Sequence, residues 1–119
     1  MEIESTQYEN VQVFRLTGRL DEDGAATLQE AFEAIVPRGI TRCILDFAGV
    51  EYISSIGVRA LLLGTKQLQE AGGKAMLAGL NPSLVQFFQM SGLSTIFTIH
   101  SSVEEALDAN QPPGHVGGE

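Results

Sequence analysis

Short apolar runs typical of strands alternate with helical spacing along almost the whole chain. Two strand-like runs open the sequence on either side of a polar segment, Tyr8–Asn10, and this arrangement predicts a hairpin. A third run is almost wholly apolar, as expected of a strand buried on both faces, and a turn at Ala48–Gly49 is predicted to end it. The five predicted strands are Glu2–Thr6, Val11–Leu16, Arg42–Phe47, Lys74–Ala78 and Ile96–Ile99.

Four amphipathic helices are predicted between and after these strands. The first follows a capping turn at Asp21–Gly24, and the second covers Ser55–Ala71 and ends at two glycines. The third begins at Asn81–Pro82, an N-cap residue followed by a proline at the first helical position. The fourth, Val103–Ala109, has two serines before it, either of which could cap it.

The resulting order is ββαβαβαβα. It predicts an α/β fold with a mixed, mostly parallel sheet, an N-terminal hairpin and about four helices. A chain of 119 residues fits one domain, which we place at residues 1–110. Residues 111–119 contain two prolines and three glycines, and we expect them to form a disordered tail.

Composition and charge exclude several classes of function. The formal net charge is −8, with seven lysines and arginines, so nucleic acid and anionic membranes are not expected partners. No apolar run approaches the ~20 residues that span a bilayer, and the single cysteine, Cys43, excludes a disulfide framework. We expect a cytoplasmic protein with protein partners, and a basic contact face on the partner is the simplest match to an acidic chain.

Residues that could carry catalysis are sparse. The serine pairs Ser54–Ser55 and Ser101–Ser102 have no credible histidine and acid beside them, as nucleophilic catalysis would require. His100 and His115 lack partners at metal-ligand spacing. We therefore expect a protein that is not an enzyme and that needs no metal or other cofactor.

The start of the second helix is the most informative position in the sequence. Ser54–Ser55 stand where the strand pattern gives way to the helical one, which is the place of an N-cap. A hydroxyl there lies beside unpaired backbone N–H groups and the positive end of the helix dipole, and both tolerate phosphate. Capping is the commoner role for such a serine and phosphorylation is the alternative. Spacing alone leaves both open.

The two sides of this helix differ in character. Small and apolar residues gather on one side and suit close packing on the sheet: Gly57, Ala60, Leu61, Gly64 and Leu68. The opposite side carries Ser55, Arg59, Leu62 and Lys66, and it is exposed if the first side is buried. A leucine between two cations is a candidate docking stripe for a partner, although an ordinary surface is the commoner outcome of this pattern.

Several motifs occur together across residues 3–109. A strand ending in Asp46 is followed by a short turn, an aromatic and apolar pair, and a Ser-x-Gly that opens a helix at Ser55–Gly57. The earlier TGRLD, Thr17–Asp21, comes directly after the second strand, and a Gly-Gly, a Pro-led helix and a Ser-Gly-Leu turn follow later. In this combination the chain resembles the STAS domain of bacterial anti-sigma factor antagonists.

The resemblance implies a cycle of partner switching. In that family the unphosphorylated protein binds an anti-sigma factor, a serine kinase of the histidine-kinase-like ATPase type, and so frees a sigma factor. Phosphorylation of a serine by this kinase breaks the complex, and a metal-dependent serine phosphatase resets it. Carried onto this chain, the acceptor is Ser55. Asp21 and Gly57 match family positions, and the predicted partner-binding set is Asp21, Ser54, Gly57, Arg59, Leu62 and Lys66.

Two positions depart from the family pattern. Ser54 stands where many members have aspartate, which makes it the second choice as acceptor, and Arg19 replaces an acidic residue. A stand-alone STAS subunit of a transporter, or of another signalling complex without a sigma factor, is the alternative function. The doubled serine favours the antagonist, because a permanent subunit has no need of an acceptor hydroxyl.

Overall fold

The computed structural model describes residues 1–110, and the predicted disordered tail at 111–119 lies outside them. Within these residues the strands form one sheet in the order β1-β2-β3-β4-β5, in which β1 is antiparallel to β2 and every other pair is parallel. The strands are β1 Glu2–Tyr8, β2 Val11–Leu20, β3 Arg42–Ile53, β4 Lys74–Ala78 and β5 Thr98–His100. The predicted ββαβαβαβα order and mixed sheet are confirmed.

Four α-helices connect and follow the strands within the described residues. They are α1 Glu22–Ile35, α2 Ser55–Glu70, α3 Pro82–Met90 and α4 Val103–Ala109, with short 3₁₀ turns at Val36–Arg38 and Leu93–Thr95. Each α-helix has a side-chain N-cap that accepts a hydrogen bond from the backbone N–H three residues on. The caps are Asp21, Ser54, Asn81 and Ser102. None of these helices combines the length and the apolarity needed to cross a bilayer.

The predicted turn at Ala48–Gly49 is wrong, because β3 continues past it to Ile53. The pairing with β2 shifts register at this point and resumes where Thr17 faces Gly49. A β-carbon on Gly49 would come within 2.9 Å of the Leu16 carbonyl oxygen, so the glycine permits a close approach inside the sheet. Asp46, placed at a strand end by the motif, therefore lies within the strand.

Alternate side chains of the strands enter two separate apolar layers. Phe14, Leu45 and Leu77 face the larger layer, where α1, α2 and α3 cover the sheet. Neighbouring strand positions such as Ile44 and Met76 face the smaller layer under α4. The acceptor candidates stand on α2 and hence on the more fully covered side of the sheet.

Cys43 lies within the larger layer and is fully buried. Burial raises the pKa of its thiol, because the thiolate would lose its hydration there. The interpretation of Cys43 as a small buried apolar residue is confirmed, and the thiol is chemically inert under ordinary conditions.

Helix α2 lies close against α1 at Gly64. A β-carbon at this position would overlap the ring of Phe32, which is fully buried and packs edge-on against Phe14 at 6.1 Å between ring centroids. The absence of a side chain at Gly64 therefore sets how near the two helices lie.

Candidate functional site at the start of the second helix

The hydroxyl of Ser54 both accepts and donates a hydrogen bond within the fold. Its Oγ accepts a hydrogen bond from the Gly57 backbone N–H at 3.1 Å and donates one to the Leu20 carbonyl at 3.3 Å. The Ser54 backbone N–H also donates to this carbonyl, at 3.0 Å. Ser54 is thus the N-cap of α2 and the link between α2 and the end of β2.

We expect Ser54→Ala to lower the free energy of unfolding by about 1–2 kcal/mol, because the substitution removes the cap and leaves the Gly57 N–H without its side-chain acceptor. Urea denaturation followed by circular dichroism measures the loss. Ser55→Ala is the matched control and should change the stability by less than about 0.5 kcal/mol, since Ser55 has no capping bond. Equal losses for the two variants would contradict the assignment of the cap.

Ser55 occupies the first helical position of α2 and is exposed. Within residues 1–110 its hydroxyl has no hydrogen-bond partner. The helix begins with no acidic residue in its first turn, so the positive end of its dipole is not offset there. An exposed hydroxyl in this position can accept a phosphoryl group and hold the resulting anion.

Gly57 brings the start of α2 against the end of β2. A β-carbon on Gly57 would overlap the Leu20 carbonyl oxygen and would lie 2.8 Å from the Leu20 Cγ atom. The next residue, Asp21, caps α1 by accepting a hydrogen bond from the Gly24 N–H at 3.1 Å. The structure thus brings three of the predicted site residues, Asp21, Ser54 and Gly57, together around Leu20, at the place where both helices begin.

Arg19 and Tyr52 form a pair beside this site. They face each other on β2 and β3, and the Arg19 guanidinium carbon lies 4.2 Å from the centre of the Tyr52 ring, within cation–π range. An Arg19 nitrogen also lies 3.8 Å from an Asp21 carboxylate oxygen. The sequence analysis marked Arg19 only as a departure from a family pattern and missed Tyr52, because the pairing depends on the strand register.

The outer face of α2 differs from its prediction at one residue. Ser55, Arg59 and Lys66 are exposed as predicted, whereas Leu62 is half-buried and packs against the main core. The exposed leucine is Leu63, at 44%. The predicted exposure of Leu62 was wrong, because the position of a residue opposite the buried side does not show which flank of the helix the core covers.

Leu63 and Ile56 were missed as surface residues. They lie seven positions apart, on the same side of α2, and Ile56 is 47% exposed. Their apolar character with this spacing was visible in the sequence, but it was equally consistent with a buried flank. A charge at position 62 would perturb the core as well as the surface, so Leu63 is the better probe of this face.

Asp46 lies away from Ser55, within β3. One of its oxygens accepts a hydrogen bond from the Ala48 N–H at 3.0 Å, and the other lies 3.5 Å from Arg15. The carboxylate is nearly buried, so these partners support a structural role in the strand. Among residues 1–110, no group of three or more histidine, cysteine or acidic side chains is placed to hold a metal ion.

The fold and the site define a small α/β module that exposes a serine at the start of its second helix. Comparison with known proteins places this module in a family. The family model of the STAS domain matches residues 2–106 of the chain. The chain therefore belongs to the STAS domain family, as the motifs at residues 3–109 predicted.

Individual relatives cover nearly the whole of this chain. BtrV of Bordetella bronchiseptica, which is named provisionally as an anti-sigma factor antagonist, is 32% identical over 109 residues, covering 92% of this chain and 94% of BtrV. The anti-sigma-B factor antagonist of Listeria monocytogenes is 30% identical over 111 residues, with 92% and 95% covered. Among solved structures, a Thermotoga maritima protein with a similarly provisional name has a TM-score of 0.84 at 18% identity, with 90% and 92% covered, and this likeness shows the shared fold.

Proposed function

We propose that this chain is an anti-sigma factor antagonist controlled by phosphorylation of Ser55. The unphosphorylated form binds an anti-sigma factor that is also a serine kinase, and this binding frees a sigma factor. Phosphorylation of Ser55 breaks the complex. The names of the relatives at 30% and 32% identity support the antagonist function. The exposed hydroxyl of Ser55, which has no hydrogen-bond partner within residues 1–110, is the main observation that supports control by phosphorylation.

Ser55 is a better acceptor than Ser54. Phosphorylation of Ser54 would remove the proton that its hydroxyl donates to the Leu20 carbonyl and would force a bulky group between α2 and β2. Phosphorylation of Ser55 costs no hydrogen bond within residues 1–110, because its hydroxyl has none. The second choice, Ser54, therefore serves as the cap that holds the acceptor in place.

The chemistry at Ser55 is a single phosphoryl transfer. The Ser55 oxygen attacks the terminal phosphorus of ATP, the bond to the bridging oxygen breaks, ADP leaves, and the hydroxyl proton passes to a base on the kinase. The product carries about −1.5 to −2 charges at a position that was neutral. The helix dipole and Arg59, four residues on, stabilise this charge within the chain, so its main effect falls on a bound partner.

Two enzymes complete the proposed cycle. The kinase is the anti-sigma factor itself, an ATPase of the histidine-kinase-like type, and a metal-dependent serine phosphatase removes the phosphate. Both must reach Ser55, and its exposure at the start of α2 is compatible with this access. A STAS subunit of a transporter, or of a signalling complex that lacks a sigma factor, would not need this serine to be modified.

A pull-down with labelled ATP tests the proposed function. The wild-type chain, Ser55→Ala and Ser54→Ala serve as baits in a lysate of the source organism, and retained proteins and phosphosites are identified by mass spectrometry. We expect the wild type and Ser54→Ala to acquire one phosphate on Ser55. We also expect Ser55→Ala to remain unmodified and to retain an ATP-binding kinase. Phosphate on Ser54, or retention of transporter subunits without such a kinase, would overturn the proposal.

A further inference from the structure

A groove of about 260 Å³ lies between α1 and α2 directly beside the acceptor serine. Its α2 side contains Ile56, the residue after Ser55, followed by Arg59 and Leu63. Its α1 side consists of Glu22, Ala25, Ala26 and Gln29. The two alanines between the polar residues are too small to cover the apolar side chains opposite. The groove is therefore open in its middle, where α1 presents Ala25 and Ala26.

The apolar wall of the groove is the feature that requires a partner. Ile56 and Leu63 are 47% and 44% exposed, and covering their apolar surface with a partner would be favourable in free energy. The volume lies below the 300–1,000 Å³ or so of a typical small-molecule site. An apolar side chain of another protein suits this space better than a free metabolite.

The charges beside the groove indicate which polar group of the partner should lie next to its apolar side chain. Within residues 1–110, neither Arg59 nor Lys66 has a carboxylate within 4.0 Å, and α2 carries no acidic residue before Glu70. The outer face of α2 is thus locally basic, although the chain as a whole has a net charge of −8. A partner that contacts this face is best matched by a carboxylate, which is the reverse of what the net charge predicts.

We propose that the groove between α1 and α2 is a second part of the docking surface of this chain. It takes an apolar side chain of the anti-sigma factor, and a neighbouring carboxylate of the same partner pairs with Arg59. The inference rests on the proposed function, because it specifies the chemistry of the partner that this function requires. It adds Ala26, Ile56 and Leu63 to the interface.

The position of Arg59 couples the groove to the phosphorylation site. Residues four apart on a helix are neighbours, so a phosphate on Ser55 can pair with the Arg59 guanidinium. The phosphate then competes with the partner's carboxylate for the same cation. Phosphorylation therefore repels the partner and also occupies the Arg59 guanidinium that the partner's carboxylate would otherwise bind.

The test uses the kinase that the Ser55→Ala bait retains. This kinase is purified, and its affinity for each chain variant is measured by titration calorimetry without ATP. Ala26→Phe fills the groove and Arg59→Glu reverses its charge, and we expect each to weaken binding about tenfold or more. The controls are Ala34→Phe, an exposed alanine of α1 that lines a different depression, and Lys74→Glu, a cation at the start of β4. Both controls should bind within about twofold of the wild type, which corresponds to ~0.4 kcal/mol.

The outcomes separate this inference from the proposed function. If the Ser55→Ala chain, which cannot be phosphorylated at position 55, retains no ATP-binding kinase, the proposed function is wrong and the inference is wrong with it. If the kinase binds the wild type, Ala26→Phe and Arg59→Glu equally well, the groove is not part of the interface and only the inference is overturned. Should Ala26→Phe fail to fold by circular dichroism, Arg59→Glu decides alone, because Arg59 is exposed.

Discussion

Ser55→Asp is expected to weaken binding to the anti-sigma factor by roughly 10²-fold, or about 3 kcal/mol, while Ser55→Ala binds like the wild type. The added carboxylate imitates part of the charge of a phosphate at a position that a bound partner would cover. The partner must then either desolvate this anion or place its own carboxylates beside it, and both cost free energy. Titration calorimetry with the purified kinase, without ATP, gives the affinities directly.

Two further variants separate charge at Ser55 from other effects. Ser55→Asn has nearly the size of aspartate without its charge and should bind within about threefold of the wild type, or ~0.7 kcal/mol. Ser83→Asp adds the same charge near the start of another helix, α3, at a position that is also exposed. It should leave the affinity unchanged. Equal affinities for Ser55→Ala and Ser55→Asp would remove Ser55 from the mechanism.

Gly64→Ala is expected to destabilise the fold by about 2 kcal/mol, although the same change in an exposed helix would stabilise it by about 1 kcal/mol. Helix propensity and packing thus predict opposite signs. The new methyl group would overlap the Phe32 ring, and the edge-on packing of Phe14 limits how far this ring can move. Guanidinium denaturation of the purified chain measures both the sign and the size of the effect.

A double-mutant cycle tests whether Phe32 is the residue that the new methyl group at position 64 contacts. Phe32→Leu removes the ring that the new methyl group meets, at its own cost in burial. In that background, Gly64→Ala should cost at least about 1 kcal/mol less than in the wild type. Additive losses would mean that the destabilisation has another source than the contact between α1 and α2.

The buried side of α2 could be predicted from sequence because its signal is local. Gly57, Ala60 and Gly64 recur at helical spacing, and small residues at that spacing indicate close packing whatever lies opposite. All three are buried. The sequence limited the N-cap of α2 to two serines for a similar reason. Only the hydrogen bond that the Gly57 N–H donates to the Ser54 Oγ shows that Ser54 is the cap.

The exposed flank of α2 could not be predicted, because it depends on residues far away in the chain. Whether Leu62 or Leu63 is exposed depends on how the core and α1 cover the two flanks, and on the small size of Ala26 in particular. The length of β3 has a comparable cause. Gly49 looks like the end of a strand until its pairing with Thr17, more than thirty residues earlier, continues the sheet.

The deep placement of Cys43 makes the chain suited to site-specific thiol labelling. The sequence contains no second cysteine, and this one is shielded from solvent and held in its protonated form by burial. A cysteine substituted for Ser55 would then be the residue that maleimide reagents modify. A fluorophore attached there would report directly on whether a protein covers the start of α2.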